Sequence, residues 1–183
     1  SIVSPRGFFR IHYNKSGNEA PGYNLNKFAL AADSAYDYEI NVLKYPVPPN
    51  DNGRGGDNLY DIYIENLSGG IYGYTEFEDN ITEYTYRSYI IIDNDFSNYA
   101  TKSLDAARAT IAHEFHHAIQ IGNYIYRSED NYYFEATSTA MEEFVFDDVN
   151  DYYHYIDSYF RNTSKALNEY NGYNLALLNI FLK

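Results

Sequence analysis

Four segments in the first half of the chain have the apolar patterns of β-strands. Residues 7–13 and 59–65 alternate apolar and polar positions, which is the period of a strand with one buried face. Residues 88–93 form a continuous apolar run, which is typical of a buried strand. Residues 69–75 are rich in glycine, which weakens a central strand and favours a position at the sheet edge. The pattern therefore predicts four strands, with the third at an edge.

Apolar residues recur at helical spacing in five other segments. The predicted helices cover residues 25–45, 103–121, 133–146, 149–161 and 174–182. Pro46 ends the first helix and opens a turn-rich loop that extends to residue 58. Ser103 or Thr101 is the expected N-cap of the second helix, and Gly122 is the expected residue just after its C-terminus.

The order of these elements indicates an α+β fold. A strand, a helix and three strands are followed only by helices, which predicts a mixed sheet with a helical half after it. We expect one domain over residues 1–183, with a sheet subdomain in 1–122 and a helical subdomain in 123–183. The chain ends inside the last predicted helix, so we expect the helical subdomain to be truncated.

Charge and cysteine content exclude several functional classes. Lysine and arginine number 13 and aspartate and glutamate 26, which gives a formal charge of −13. This excess disfavours a surface for nucleic acid or anionic membranes, and no apolar run is long enough to span a bilayer. The absence of cysteine excludes disulfides, thiol catalysis and Cys-ligated zinc. We therefore expect no nucleic-acid or membrane partner, and no signal peptide is visible in this chain.

Tyrosine is unusually abundant. The chain has 23 Tyr and 11 Phe but no Trp. Tyrosine combines a large apolar area with a polar tip, so it can line half-buried surfaces and still form a hydrogen bond. We expect most of these residues to pack in the core and a minority to line a groove for a peptide or a carbohydrate.

The strongest chemical signal is the pentapeptide His-Glu-Phe-His-His at residues 113–117. It matches the pattern His-Glu-x-x-His, with His113 and His117 one helical turn apart. On an α-helix these positions are about 40° apart around the axis and about 6 Å apart along it, so both imidazoles can bind one metal ion. Glu114 is rotated by about 100° from His113, so it lies beside the metal and can take a proton from metal-bound water. His116 is outside the pattern and is expected in a supporting or surface position.

A catalytic zinc site usually has a third protein ligand. The longer metzincin pattern is excluded, because Gln120 and Asn123 stand where it requires Gly and His. Glu135 is the favoured third ligand, since it lies near the start of the next predicted helix and is followed by small residues that allow close packing. The alternatives are Glu142, Glu143 and His154. Abundance and geometry favour zinc as the metal, with one ion per chain.

These motifs resemble those of the gluzincin metallopeptidases, the clan of thermolysin. The resemblance rests on the segment HEFHHAIQ followed by a glutamate near the start of a second helix. Further stretches are similar to a family of secreted bacterial proteins classed as metalloproteases, namely GFFRIHY, NDNGRGGDNLYDIYI, GGIYGYT, SYIIIDNDF and FEATSTAMEEFVFDDVNDYYHYI. Together these stretches cover most of residues 7–156.

The resemblance implies a zincin-like fold, one catalytic zinc ion and hydrolysis of peptide bonds outside the bacterial cell. By position, His113, His117 and Glu135 would be the metal ligands and Glu114 the general base. Thermolysin-type sites have an aspartate four residues after the glutamate ligand, where this chain has Thr139. The hydrogen bond to a ligand histidine would then come from the Thr139 hydroxyl or from a different residue.

The substrate of such a site should lie extended along an exposed strand. Residues 71–75 are the best candidate, with Tyr72, Gly73 and Tyr74 at their centre. Zincin sites usually add a Tyr or His donor from the helical half that stabilises the oxyanion. The catalytic candidates for this role are, in order of preference, Tyr152, His154 and Tyr155.

The loop before the second predicted strand is a candidate calcium site. Asp51, Asp57 and Asp61 offer hard oxygen ligands, and the glycines between them permit the tight backbone that carbonyl ligation needs. The simpler interpretation is a solvated polar turn. We therefore expect Zn²⁺ as the cofactor and retain Ca²⁺ as a second candidate.

The residues predict a zinc endopeptidase that acts as a monomer on peptide or protein substrates, and the resemblance implies that it is secreted or lies at the surface of a bacterial cell. Two alternatives remain open: a zinc hydrolase of a small non-peptide substrate, and a binding module with a structural metal. A structural zinc site is normally closed by four protein ligands and has no need of Glu114. The residues therefore favour the peptidase.

Overall fold

The computed structural model describes residues 1–182 and shows a mixed five-stranded sheet. Its strands are β1 (Ile2–Val3), β2 (Phe9–His12), β3 (Tyr60–Glu65), β4 (Gly73–Asn80) and β5 (Tyr86–Asp93). Their spatial order is β1-β2-β3-β5-β4. The two inner pairs are parallel and the two outer pairs antiparallel. The predicted mixed sheet is confirmed, with β4 at an edge.

A row of paired residues crosses the sheet and ends on the edge strand. Ile11 pairs with Ile62, and Ile62 pairs with Ile90. All three side chains are fully buried. Thr75 of β4 continues the row opposite Ile90. Because directly paired residues point to the same face, Thr75 faces the same helical layer as the isoleucines.

The helices cover one face of the sheet and then extend beyond it. They are α1 (Leu25–Tyr36), α2 (Ser103–Asn123), α3 (Asn131–Val145), α4 (Tyr153–Phe160) and α5 (Ala176–Leu182). Phe28 of α1 and Phe115 of α2 are fully buried in the same core as the sheet isoleucines. Helix α3 packs on α2, and α5 packs on α3. The α+β class is therefore confirmed. Among residues 1–182, no helix is both long and apolar enough to cross a membrane.

The helix predicted over residues 25–45 changes geometry halfway. After α1 it continues as a π-helical segment at Asp37–Val42. Glu39 of this segment is fully buried and its Oε2 lies 2.8 Å from Nδ1 of His116 on α2. His116 is therefore an interior residue that ties the π-helical segment to α2.

The predicted N-cap of α2 is wrong. The N-cap is Lys102, whose side chain makes no capping hydrogen bond, and Ser103 is the first helical residue. The hydroxyl of Thr101 instead donates to the carboxylate of Asp151, just before α4. This contact joins the start of α2 to the helical half.

The predicted role of Gly122 is also wrong, because it lies inside α2. A Cβ added at Gly122 would lie 2.4 Å from Cδ of Pro49. Glycine is needed here for the close approach of the preceding loop to the helix. Packing, and not helix termination, explains this residue.

Other boundaries differ where local turns were not recognised. The edge strand begins at Gly73, because Gly69 and Gly70 adopt positive φ angles of 74° and 83° in the turn before it. The helix predicted over 149–161 starts only at Tyr153. The last predicted helix is divided into a 3₁₀ turn at Tyr173–Leu175 and α5.

Candidate metal centre

Helices α2 and α3 bring three metal-ligating side chains together. The Nε2 atoms of His113 and His117 are 3.0 Å apart. Oε2 of Glu135, on α3, lies 3.1 Å from Nε2 of His113 and 3.4 Å from Nε2 of His117. Among residues 1–182, these three form the group whose ligand atoms all lie within 4.8 Å of one another. The alternative candidates Glu143 and His154 lie outside it.

These separations suit a single metal ion. In a tetrahedral site with metal–ligand distances of about 2.05 Å, two ligand atoms are about 3.3 Å apart. The three separations of 3.0, 3.1 and 3.4 Å bracket this value. The ligand set expected from the sequence is therefore assembled in a geometry that can hold one divalent metal ion.

The second nitrogen of each histidine has a hydrogen-bond partner. His113 Nδ1 lies 2.7 Å from Oε1 of Glu142. His117 Nδ1 lies 2.8 Å from Oε1 of Gln120 and 3.2 Å from Oγ of Ser138. An oxygen acceptor at Nδ1 favours the tautomer with its proton there, which leaves the Nε2 lone pair for a metal. Both imidazoles are thus oriented towards the common centre.

Glu142 provides the histidine contact that the resemblance assigns to an aspartate. Thr139 holds the expected position, but it is fully buried and its hydroxyl has no hydrogen-bond partner within residues 1–182. Glu142 lies two turns after Glu135 on α3 and reaches Nδ1 of His113. As an alternative ligand, Glu142 is therefore on the wrong side of the imidazole.

The buried carboxylates give the centre an excess of negative charge. Burial raises the pKa of Glu135, but hydrogen bonds from His113 and His117 outweigh this effect and hold the pKa below its ordinary value. Burial lowers the pKa of His113, but its hydrogen bonds with Glu135 and Glu142 raise the pKa well above its ordinary value. Glu135 therefore stays ionised and His113 gains a positive charge, so the site is electrostatically suited to a cation.

Glu114 is held beside the centre by the edge strand. It is 6% exposed, and its Oε2 accepts a hydrogen bond of 2.9 Å from the hydroxyl of Thr75. The same hydroxyl lies 2.9 Å from the backbone oxygen of Glu114. Thr75 pairs with Ile90 at the end of the isoleucine row, so the register of the sheet fixes the hydroxyl that holds the Glu114 carboxylate.

The predicted substrate strand runs along this site. A Cβ at Gly73 would lie 2.7 Å from the backbone oxygen of Ile91 and 2.7 Å from Cγ2 of Thr110. Glycine therefore allows β4 to approach α2 closely. Tyr72 and Tyr74 lie on either side of Gly73, half-buried and partly exposed respectively.

Two cavities flank Glu114. The larger has a volume of about 350 Å³ and the smaller about 190 Å³. Gly73, Glu114 and Tyr173 line both of them, while His113 lines the larger and His117 the smaller. The candidate metal centre and the adjacent carboxylate therefore lie where the two cavities meet.

Tyr173 is a residue of this site that sequence reasoning missed. Its ring stacks on that of His113, with centroids 5.6 Å apart and planes at 14°. The preceding Gly172 has a φ of +102°, and a Cβ there would lie 2.4 Å from Cβ of Glu135. The glycine lets this segment approach α3, but nothing in the sequence distinguishes Tyr173 from the other tyrosines.

Of the three predicted oxyanion donors, the structure brings only Tyr155 to the larger cavity. The Tyr155 hydroxyl donates to Oδ2 of Asp151 at 3.2 Å. Tyr152 is 6% exposed and packs against the ring of Tyr153, so it lines neither cavity. His154 lines a separate surface depression. The preference for Tyr152 is therefore not supported by its position.

The three aspartates of the candidate calcium site do not form a ligand group among the described residues. Arg10 forms an ion pair with Asp57, and Nε2 of His12 lies 2.7 Å from Oδ1 of Asp61. Asp51 accepts the backbone N–H of Gly53 at 3.0 Å. Asp57 and Asp61 therefore have partners on β2, whereas Oδ2 of Asp51 is buried without a hydrogen-bond partner among residues 1–182, and calcium binding by this loop stays a prediction.

Comparison with protein families, characterised proteins and solved structures found no match to this chain. The fold and the site define an α+β protein with a candidate metal centre of two histidines and one glutamate, next to a buried carboxylate and a sheet edge.

Proposed function

We propose that this protein is a zinc-dependent endopeptidase with a zincin-like fold that acts outside the cell. One observation carries the proposal: a three-residue metal centre lies beside Glu114 and an edge strand, where two cavities meet. A structural zinc site is normally closed by a fourth protein ligand. The group found within residues 1–182 has three members, which favours a catalytic site.

In this proposal His113, His117 and Glu135 hold one zinc ion. When bound, zinc lowers the pKa of a coordinated water and polarises a substrate carbonyl. Imidazole and carboxylate ligands also suit other divalent ions, but the nearly tetrahedral spacing of the three donors favours zinc.

Glu114 acts as the general base. Its carboxylate takes a proton from the attacking water and then delivers that proton to the leaving amine. The hydrogen bond from Thr75 engages Oε2, which orients the carboxylate and leaves the other oxygen for the proton. A base held in one orientation avoids the cost of reorganisation during the reaction.

The substrate backbone pairs with the outer edge of β4. An edge strand offers unpaired N–H and C=O groups, and an extended peptide can use them as an added strand. Successive side chains of such a peptide point to opposite sides. Side chains on either side of the scissile bond would then enter the two cavities that meet at Glu114.

Tyr173 is the proposed donor to the oxyanion. It lines both cavities and stacks on a ligand histidine. Burial raises the pKa of Tyr173, so its hydroxyl is protonated at neutral pH and can donate a hydrogen bond. Tyr155 is the second choice, because of these two cavities it lines only the larger, whereas Tyr173 lines both.

Metal analysis and proteolysis on the same preparation test this function. We expect one zinc ion per chain, cleavage of casein, loss of cleavage with a chelator and recovery when zinc is restored. Glu135→Gln should lose both zinc and activity, whereas Glu83→Gln, an exposed change in the turn before β5, should lose neither. Stoichiometric zinc with no cleavage of casein or of a peptide library would contradict the proposal and favour a small-molecule hydrolase or a structural metal.

A further inference from the structure

The larger cavity contains acidic groups that the proposed reaction does not use as ligand or base. Asp151 and Glu142 line it and are 4% and 7% exposed. Among the described residues, no lysine or arginine lines this cavity. The oxygens of Asp151 accept hydrogen bonds from the neutral hydroxyls of Thr101 and Tyr155. The buried carboxylate of Asp151 is therefore hydrogen-bonded by neutral hydroxyls, and within residues 1–182 no lysine or arginine of the cavity wall can neutralise it.

Glu142 adds an unsatisfied acceptor to the same cavity. One of its oxygens contacts His113, but the other, Oε2, has no hydrogen-bond partner within residues 1–182. An acceptor left unpaired in the interior costs free energy unless a donor or a cation compensates it. The cavity therefore favours an occupant that carries donors and positive charge.

The walls of the cavity are aromatic. Tyr72, Tyr155 and Tyr173 line it, and the rings of Tyr155 and Tyr173 are 5.4 Å apart. Aromatic faces attract a cation within about 6 Å and also pack against an aliphatic stem. The acidic groups can pair with the charged end of a lysine or arginine side chain, and the aromatic walls can pack against its aliphatic stem.

The smaller cavity provides an internal contrast. Its walls include Phe77, Ile121 and Tyr126, and its acidic residues are Glu114 and Glu135, to which the proposed function already gives roles. Of these two cavities, only the larger is lined by acidic residues other than the proposed ligand and base. The net charge of −13 would also attract basic peptides to the molecule.

We propose that the larger cavity is a specificity subsite for a lysine or arginine side chain next to the scissile bond. This inference rests on the proposed peptidase function. Asp151 is the specificity-determining residue, because it is buried in the cavity wall and contacts no metal ligand. An acidic substrate side chain would be repelled, and a neutral one would leave Asp151 without a counter-charge.

Binding measured without turnover tests the subsite. The probes are three fluorescently labelled hexapeptides of alanine and glycine with one central lysine, norleucine or glutamate. Fluorescence anisotropy gives their affinities for the zinc-loaded Glu114→Gln protein. We expect the lysine peptide to bind at least about tenfold more tightly than the norleucine peptide and the glutamate peptide to bind most weakly. Equal affinities for lysine and norleucine would overturn the proposal.

Variants at Asp151, made in the same Glu114→Gln background, identify the origin of the preference. Asp151→Asn should remove the lysine preference and leave norleucine binding unchanged, and Asp151→Glu should restore much of the preference. The matched control is Asp147→Asn, which removes the same charge from an exposed position nearby and should change nothing. A lysine preference that persists in Asp151→Asn, or an equal loss of affinity for all three peptides, would contradict the assignment.

Cleavage of the same peptides by the wild-type protein separates the two proposals. Cleavage of the lysine and norleucine peptides with equal kcat/KM and equal affinity would contradict the proposed subsite and support the proposed peptidase function. A lysine preference in binding with no cleavage of any peptide would contradict the proposed peptidase function and support a cavity that binds cations.

Discussion

Oε1 of Glu142 lies 2.7 Å from Nδ1 of His113, on the opposite side of the imidazole from the Nε2 that faces Glu135. Glu135 and Glu142 of α3 thus contact one histidine of α2 from both sides. Such a partner fixes the tautomer and increases the basicity of a ligand histidine. In this chain the interaction comes from a glutamate two turns after the ligand.

Removing this partner should weaken metal binding without abolishing it. We expect Glu142→Ala to lower zinc affinity by about 10–100-fold, because His113 loses its orientation. Glu142→Gln should lose less, since its amide oxygen can still accept the Nδ1–H. Glu135→Gln should lose most, because it removes the charge of a direct ligand. Competition with a chromophoric chelator measures all three affinities, and a larger loss for Glu142→Gln than for Glu135→Gln would mean that the ligand assignment is wrong.

Replacing Thr75 by valine should impair turnover more than binding. The change removes the hydroxyl that holds Glu114 but retains the shape of the side chain at the end of the isoleucine row. We expect kcat to fall by about tenfold with little change in KM, since a mis-oriented base acts mainly on the chemical step. Thr75→Ser should restore most of the activity. Steady-state kinetics on one peptide decide this, and normal turnover in Thr75→Val would refute the positioning role.

Loss of the Tyr173 hydroxyl should have the largest effect among the tyrosines. We expect Tyr173→Phe to lower kcat by about 10²–10³ with little change in KM, which is the signature of a donor that acts on developing charge. Tyr155→Phe should have a smaller effect, and Tyr152→Phe should be near wild type because Tyr152 lines neither cavity. If Tyr152→Phe alone lost turnover, the original sequence-based preference would be correct.

The buried Glu39 should make stability depend on pH. Burial raises its pKa well above the ordinary value of 4.5, so the folded state binds a proton that the unfolded state releases above that pH. The stabilisation is complete below pH 4.5 and is lost as pH rises through the folded-state pKa. Its partner His116 is neutral in both the folded and the unfolded state above pH 7. Burial lowers its pKa in the folded state to about 3, and its ordinary pKa is 6.5.

Glu39→Gln isolates this effect, because an amide can replace the protonated carboxyl as donor to His116. Thermal melts of both proteins between about pH 5 and pH 9 should show that the wild type loses Tm relative to Glu39→Gln as pH rises. A Tm difference that is constant over this range would show that Glu39 is already ionised in the folded protein, so that burial does not raise its pKa.

Local periodicity predicts four of the five strands and the core of the site, but it misses β1, which has only two residues. Helical geometry alone brings His113 and His117 to one face, and the next helix begins soon enough to return Glu135 to them. The apolar patterns of residues 7–13, 59–65 and 88–93 predict β2, β3 and β5, and the glycines of residues 69–75 predict the edge position of β4. The boundaries failed where glycine or a hydroxyl had another role, as with Gly122 against Pro49 and Thr101 on Asp151.

The remainder of the site depends on long-range packing that no local pattern encodes. Thr75 acquires its role from strand register, because its pairing with Ile90 directs it towards Glu114. Tyr173 reaches His113 only because Gly172 allows its segment to contact α3. The choice of Glu142 over Thr139 depends on side-chain reach between two helices, which helix spacing alone does not determine.

The central claim is that zinc and Glu114 together hydrolyse peptide bonds. Its most direct test is mass spectrometry of a synthetic peptide library incubated with wild-type and Glu114→Gln proteins of equal zinc content. We predict new amino termini at defined positions with the wild type and none with Glu114→Gln. No products from the wild type, or equal products from both proteins, would contradict the account.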